Sequence, residues 1–179
     1  RLQCGKSSIS EYDNKIPSNL TVEQILIRSG NIGSVRIGQK LEIIKLKAFL
    51  EKIGILNKIN FDIEEVGEPI PFKWGKCKLA TVSFGHGITT TPLQLAKAYA
   101  IISNGGFVVE PSLIKSELKN NQQKKRIIKA GISEKINPIL RKIVTTKEGT
   151  AGLVNIKGYE VGGKTGTAQK TIVGGYSKA

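Results

Sequence analysis

Residues 160–169 read EVGGKTGTAQ, a lysine set among glycines and hydroxyls with little that could pack a core. On a β-strand, alternate side chains face opposite ways, so Thr165 and Thr167 share one face and Lys164 points to the other. Gly166, between the two hydroxyls, removes the side chain that would hold an extended ligand away from the backbone. Such a strand can take up a peptide by edge addition, its two hydroxyls on a terminal carboxylate and Lys164 beneath as a cation whose pKa responds to burial. By itself the run also reads as an exposed glycine-rich strand with a solvated lysine. A second constellation lies far upstream. SGN at 29–31 puts Ser29 and Asn31 at the junction of two helical patterns, where a turn can present a hydroxyl and an amide into a cleft. Ser and Asn also favour such turns through local side-chain-to-backbone bonds alone.

The elements that must position these residues follow from the patterning. NLTVEQILIRS gives a short helix, with Thr21 as N-cap and Gln24 three residues on, close to a capping box. A second helical pattern starts at Ile32 and carries Val35, Ile37 and Leu41. A third, EIIKLKAFLEKIG, spaces Ile43, Leu46, Phe49, Leu50 and Ile53 helically, with Gly54 as its stop. The first twenty residues read as loop, and 55–90 as irregular. Thr91-Pro92 opens a long helix that ends at Asn104-Gly105-Gly106. FVVEPSLIKSEL and RIIKAGIS read as two strands around a KNNQQKK loop. A further helix spans about Glu134–Lys147, and YEVGGKTGTAQKTI reads as a strand. No internal repeat is visible. The order predicts an α+β fold: a mainly helical subdomain over 19–106, then strands and a helix over 107–179 leading to the K-T-G strand, in one truncated domain with part of its sheet missing.

Composition narrows the function classes. Hydrophobic residues make up 39% of the 179 residues, and no apolar run approaches the roughly 20 residues of a membrane helix. The chain opens RLQCGKSS, without a signal peptide, and reads as a piece of a longer protein. Lys and Arg outnumber Asp and Glu by 28 to 14, for a net charge of +14. That excess raises nucleic acid or an anionic surface as partner. It is mostly scattered lysine, however, and its one dense cluster, KNNQQKKR at 119–126, reads as a solvated loop, so no nucleic-acid partner is expected. A single histidine, His86, excludes a His-rich metal site, and no metal or cofactor is expected. Cys4 and Cys77 have no metal-ligand spacing and read as free thiols or small buried residues.

Taken together, S-x-N followed by K-T-G resembles two of the three motifs of penicillin-binding proteins and serine β-lactamases. The likeness extends further. LTVEQILIRSGNIGSVRIGQKL resembles the helix–SxN–helix segment of class B penicillin-binding proteins, SFGHGITTTPLQLAKAYAIISNGG resembles their longest signature, and EGTAG at 148–152 also fits. It runs from about residue 19 to 170, and the SFGHGI form is closer to the division-associated transpeptidase than to the elongation enzyme. A non-catalytic β-lactam sensor of the same fold is a further alternative.

The resemblance implies a penicillin-binding protein/β-lactamase-like fold and a peptidoglycan D,D-transpeptidase that crosslinks stem peptides ending in D-Ala-D-Ala and binds β-lactams. Ser29 would pass a proton toward the leaving amine with Lys164 hydrogen-bonded to it, and Asn31 would hold the substrate's side-chain amide. Thr165 and Thr167 would bind the terminal carboxylate beside Gly166, and the Thr167 N–H would supply half an oxyanion hole. The third motif, S-x-x-K, carries the nucleophile and should precede S-x-N. The two S-x-x-K strings present, Ser112 to Lys115 and Ser116 to Lys119, follow it and fall in a predicted strand, where residues three apart face opposite ways. The acylated serine and its lysine are therefore expected N-terminal to Arg1, and this piece alone is expected to be inactive. The resemblance also implies cell-division partners and a periplasmic address on the inner membrane, through an N-terminal anchor outside these residues.

Overall fold

The computed structural model describes residues 1–5, 7–63, 66–115, 125–167, 171–172 and 175–176. The helices around Ser29 and Asn31 form for local reasons. Helix α1 (Val22–Ile27) starts at Thr21, whose hydroxyl accepts from the Gln24 N–H while the Gln24 side chain accepts from the Thr21 N–H. This is the capping box its sequence predicts. Helix α2 (Asn31–Lys52) is broken at Glu42, where φ is 63° and ψ 167°. The break separates the two helical patterns read as distinct, and Gly54, at φ +83°, ends the second. A Cβ on Gly33 would stand 2.6 Å from Ile25 Cγ1, so glycine lets α1 and α2 approach closely just beyond the SGN turn.

Within residues 1–90, three features depart from expectation. Residues 55–90 contain helix α3 (Lys76–Val82), which buries Leu79, Ala80 and Val82 and packs on α2. Its N-cap, Gly75, makes no side-chain cap bond, so the start signal is absent from the sequence. The first residues form an antiparallel hairpin of β1 (Leu2–Cys4) and β2 (Ser7–Ile9), with Leu2 opposite Ile9. Cys4 is not a free thiol. It is bonded to Cys77 across 73 residues, Cα to Cα 5.3 Å, and so ties the hairpin to α3. In chain-entropy terms a closed loop of this length is worth about 4 kcal/mol.

Helix α4 (Pro92–Ser103) begins with the box of Thr91 and Gln94. Gln94 is 1% exposed, and its Nε2 also donates to the Asn57 carbonyl at 2.5 Å, fixing the start of α4 to the chain that leaves α2. Ile53, Ile55, Ala98, Ile101 and Ile128 close the core there. The strand pair expected beyond α4 is reduced, among the described residues, to one bridge between Phe107 and Arg126. Much of the basic loop, through residue 124, lies outside the described residues, as does Ser116 to Lys119. AGIS, read as strand, is the first turn of helix α5 (Ala130–Thr145). Ile127 and Ile128 both donate to the Gly106 carbonyl, which closes the bridge, and Ser133 is buried within the helix. Packing overrides the β-preference of an isoleucine-rich run.

The chain leaves α5 through EGTAG. The Ala151 N–H donates to the Ile143 carbonyl at 3.2 Å, and a Cβ on Gly149 would overlap that same carbonyl oxygen. Gly149→Ala must therefore displace backbone, and a loss of about 1–3 kcal/mol in unfolding free energy is expected by urea titration. A neutral result would refute the tight turn. Strands β3 (Thr171–Ile172) and β4 (Gly175–Tyr176) pair antiparallel at the end of the chain.

Candidate active site

Ser29 and Lys164, 135 residues apart, meet: Lys164 Nζ donates to Ser29 Oγ at 2.6 Å. Each is placed by its own half of the chain. Ser29 follows α1 with φ 57°, in the left-handed region. Its N–H donates to Leu26 O at 3.3 Å, and the Gly30 N–H donates to Ile25 O at 2.9 Å. These two bonds are the Schellman ending of a helix, in which the left-handed position is ordinarily glycine. A serine there costs about 1–2 kcal/mol, and what it adds is a hydroxyl aimed at Lys164. Asn31 opens α2. Its N–H donates to Glu11 Oε2 at 2.6 Å and its side-chain amide to the Ser10 carbonyl at 3.0 Å.

Lys164 is brought up by α5. Gly163 N–H donates to Leu140 O at 3.1 Å, and Arg141 Nη1 donates to Val161 O at 2.8 Å. The Thr165 hydroxyl shares a 2.8 Å hydrogen bond with that of Thr150, from EGTAG. Across the two halves, Lys142 Nζ donates to Glu23 Oε1 at 2.5 Å, and Arg28 pairs with Glu148 at 3.8 Å. Such half-exposed pairs are worth little energy, but they register α1 against α5.

Around the half-buried Lys164 ammonium stand three acceptors: Ser29 Oγ, Thr165 O at 3.1 Å and Thr165 Oγ1 at 3.3 Å. Three acceptors match the three N–H bonds of the cation. Burial lowers the Lys164 pKa from its ordinary 10.5. The pattern of alternate faces read from the sequence does not hold for Lys164 and Thr165, because 161–167 make no ladder bonds among the described residues and the lysine folds back over its neighbour. Thr165, Gly166 and Thr167 are exposed, and a Cβ on Gly166 would meet nothing within 4 Å. This leaves an open surface beside a half-buried cation and a hydroxyl, a place for an anionic peptide end.

Ser112 is elsewhere and otherwise engaged. Its hydroxyl donates to Asp62 Oδ2 at 2.7 Å, and the Leu113 N–H donates to the same oxygen at 2.6 Å. Those bonds hold the Asp62 carboxyl below its ordinary pKa. Residues 111–115 form neither strand nor helix, so Ser112 and Lys115 lack the helical turn that an S-x-x-K pair needs. Glu11 belongs to no motif in the sequence, and Thr150 lies in EGTAG with no role of its own assigned there. The signal for Glu11 was indirect: Gly30 has no side-chain oxygen with which to cap α2, so its first N–H groups need an outside acceptor. Among the described residues, no group of three or more His, Cys, Asp or Glu side chains could hold a metal, and no helix is long and apolar enough to cross a membrane.

Residues 2–179 match the penicillin-binding protein transpeptidase domain. The chain belongs to that family. Its relatives are class B penicillin-binding proteins. It is 28% identical over 168 residues to "Probable peptidoglycan D,D-transpeptidase FtsI" of Caulobacter vibrioides, covering 93% of this chain and 28% of that protein. It is 32% identical over 169 residues to "Stage V sporulation protein D" of Bacillus subtilis, covering 87% and 26%. The chain thus spans little more than a quarter of the length of these curated relatives. In three dimensions this transpeptidase domain is similar to the transpeptidase domain of Burkholderia pseudomallei penicillin-binding protein 3. The TM-score is 0.82 at 25% identity, over 89% of this chain and 49% of that one. The partial, mostly helical α+β fold expected from the sequence is the fold found.

Proposed function

We propose that this chain is part of a serine-type peptidoglycan D,D-transpeptidase of the division-associated kind, facing the periplasm. The observation that carries the reading is the 2.6 Å hydrogen bond from Lys164 Nζ to Ser29 Oγ, in a chain of the penicillin-binding family. Similarity to relatives named FtsI supports the division assignment. The Cys4–Cys77 disulfide supports an oxidising compartment outside the cytosol.

The nucleophilic serine and its S-x-x-K lysine are supplied by a segment of the same polypeptide outside these 179 residues. Residues 1–179 then form one part of a larger transpeptidase domain, with 19–106 carrying S-x-N and 107–179 carrying K-T-G. The serine oxygen attacks the carbonyl carbon of the D-Ala-D-Ala bond, and its proton goes to that S-x-x-K lysine. The C–N bond breaks, and the terminal D-Ala leaves as an amine that needs a proton. Ser29 delivers it: its hydroxyl proton passes to the leaving nitrogen while its oxygen accepts from Lys164. An amine from a neighbouring stem then attacks the acyl carbon and gives its proton to Ser29; the C–O bond to the nucleophilic serine breaks as the crosslink forms, and that serine takes its proton back from the S-x-x-K lysine. Thr165 and Thr167 bind the terminal carboxylate, with Gly166 leaving room for the peptide. Ser10 takes one N–H of the Asn31 amide, which leaves the other N–H and the carbonyl oxygen for the substrate's amide. The Thr167 N–H is one of two oxyanion donors, a position worth about 3 kcal/mol. β-Lactams acylate the same serine.

Fluorescent penicillin is the test. The longer polypeptide that joins this chain to its S-x-x-K segment is expected to be labelled covalently, and the 179-residue chain alone is not. An unlabelled longer protein would sink the reading, and stable labelling of the short chain would place the nucleophile within it.

A further inference from the structure

Three consecutive residues of the segment after the hairpin, Ser10, Glu11 and Tyr12, grip the S-x-N turn from both sides. Ahead of Ser29, the Tyr12 hydroxyl donates to the Arg28 carbonyl at 3.0 Å. Behind it, one Glu11 carboxylate oxygen accepts from the Asn31 N–H at 2.6 Å and the other from the Ile32 N–H at 3.1 Å. The Ser10 carbonyl accepts from the Asn31 side-chain amide at 3.0 Å. Ser29 itself sits in a conformation that a non-glycine residue adopts only when its surroundings over-determine it. The bonds from α1 fix one end of that turn, and Glu11 fixes the other. Gly30, as N-cap, brings no oxygen of its own, so the first N–H groups of α2 depend on Glu11.

We propose that Glu11 is a positioning residue for transpeptidation: it caps α2 in trans and thereby holds the Ser29 hydroxyl and the Asn31 amide in register with Lys164. This rests on the function proposed above. Glu11 touches no substrate. It acts through the turn, so its loss should slow the covalent step much more than it weakens the first encounter with ligand. Charge matters as well as shape, because a carboxylate offers two acceptors where a glutamine offers one and adds an N–H pair that faces the donors of α2.

The experiment uses the longer polypeptide and compares the acylation rate constant with the pre-covalent dissociation constant for penicillin. In Glu11→Gln the rate constant is expected to fall about 10- to 100-fold, the scale of a misplacement of about an ångström, with the dissociation constant within about 3-fold of wild type. Glu11→Asp, which keeps both oxygens on a shorter stem, should recover part of the rate. Tyr12→Phe removes one hydroxyl, is expected to fold normally, and should cost about 3- to 10-fold. It carries the test if Glu11→Gln does not fold. Wild-type acylation in Glu11→Gln, a loss residing wholly in the dissociation constant, or no recovery by Glu11→Asp overturns the proposal, as does an unchanged rate in Tyr12→Phe where that variant stands in.

Amide hydrogen exchange separates this inference from the functional reading. If the wild type takes no penicillin at all, the function fails, but the clamp is still judged. The Asn31 and Ile32 amides should exchange slowly in the wild type and at least about 10-fold faster in Glu11→Gln. Equal exchange refutes the clamp.

Discussion

Lys164→Met is expected to cut the acylation rate of the longer polypeptide by about 10²- to 10⁴-fold, the usual contribution of a positioned proton-transfer group. The methionine fills the volume of the lysine stem, so the fold should survive. Stability gives an independent reading. The Lys164 pKa is lowered by burial from 10.5. Below the folded value the lysine is charged in both folded and unfolded chains, and the cost of burying that charge is fully present. As pH climbs from the folded value toward 10.5, the folded chain releases its proton first and the cost is relieved. The wild type should therefore gain stability relative to Lys164→Met as pH rises through that window, in paired urea titrations. Activity should run the other way. The three acceptors around Nζ fit an ammonium, so acylation should fall on the alkaline side with an apparent pKa below 10.5. In Lys164→Arg, which cannot deprotonate, that limb should move up or vanish even if the overall rate is low. Wild-type acylation by Lys164→Met would remove this lysine from the site.

The second large effect concerns Ser29, where activity and stability should separate. Ser29→Gly deletes the hydroxyl that accepts from Lys164 and is expected to lower acylation by about 10²-fold or more. It also puts glycine at a left-handed position, φ 57° at the end of α1, where serine is strained. Ser29→Ala deletes the same hydroxyl but keeps the Cβ. Both variants should be equally inactive, while the glycine form should be more stable than the alanine form by about 1 kcal/mol. Thermal unfolding of the pair is the measurement. Equal stabilities would mean that the turn is not strained in solution, and rapid acylation of either variant would exclude the Ser29 hydroxyl from proton transfer.

How much of this was legible depended on how local the cause was. Thr21 with Gln24, and Thr91 with Gln94, announce two helix starts because a capping box lies within four consecutive residues. Gly54 and Gly105-Gly106 announce two stops for the same reason. The motif residues Ser29, Asn31 and Lys164 could be picked by type and order, and the structure places Ser29 and Lys164 within one hydrogen bond. What stayed hidden is held by distant partners. The bond from Cys4 to Cys77 has no spacing rule, α3 begins at a glycine without a capping side chain, and the first turn of α5 carries residues that favour strands. Glu11 is one acid in a polar stretch until α2 is seen to lack its own cap. The fold-back of Lys164 onto Thr165 needs a backbone free of ladder bonds, which the glycine-rich run read as a strand does not foretell.

The contact between Ser29 and Lys164 joins residues separated by most of the chain. During synthesis Ser29 emerges 135 residues before Lys164, and the capping boxes and stops around it allow α1, α2 and α4 to form from local information. The lysine arrives only after all of these have been made. A nascent or half-folded chain thus holds Ser29 without Lys164 beside it, and long-range closures of this kind are the slow steps of folding. Reactivity toward a β-lactam would then report completed assembly and not mere presence of the polypeptide. A fluorescent penicillin, applied during refolding of the longer polypeptide, would serve as a clock for the closing of this contact.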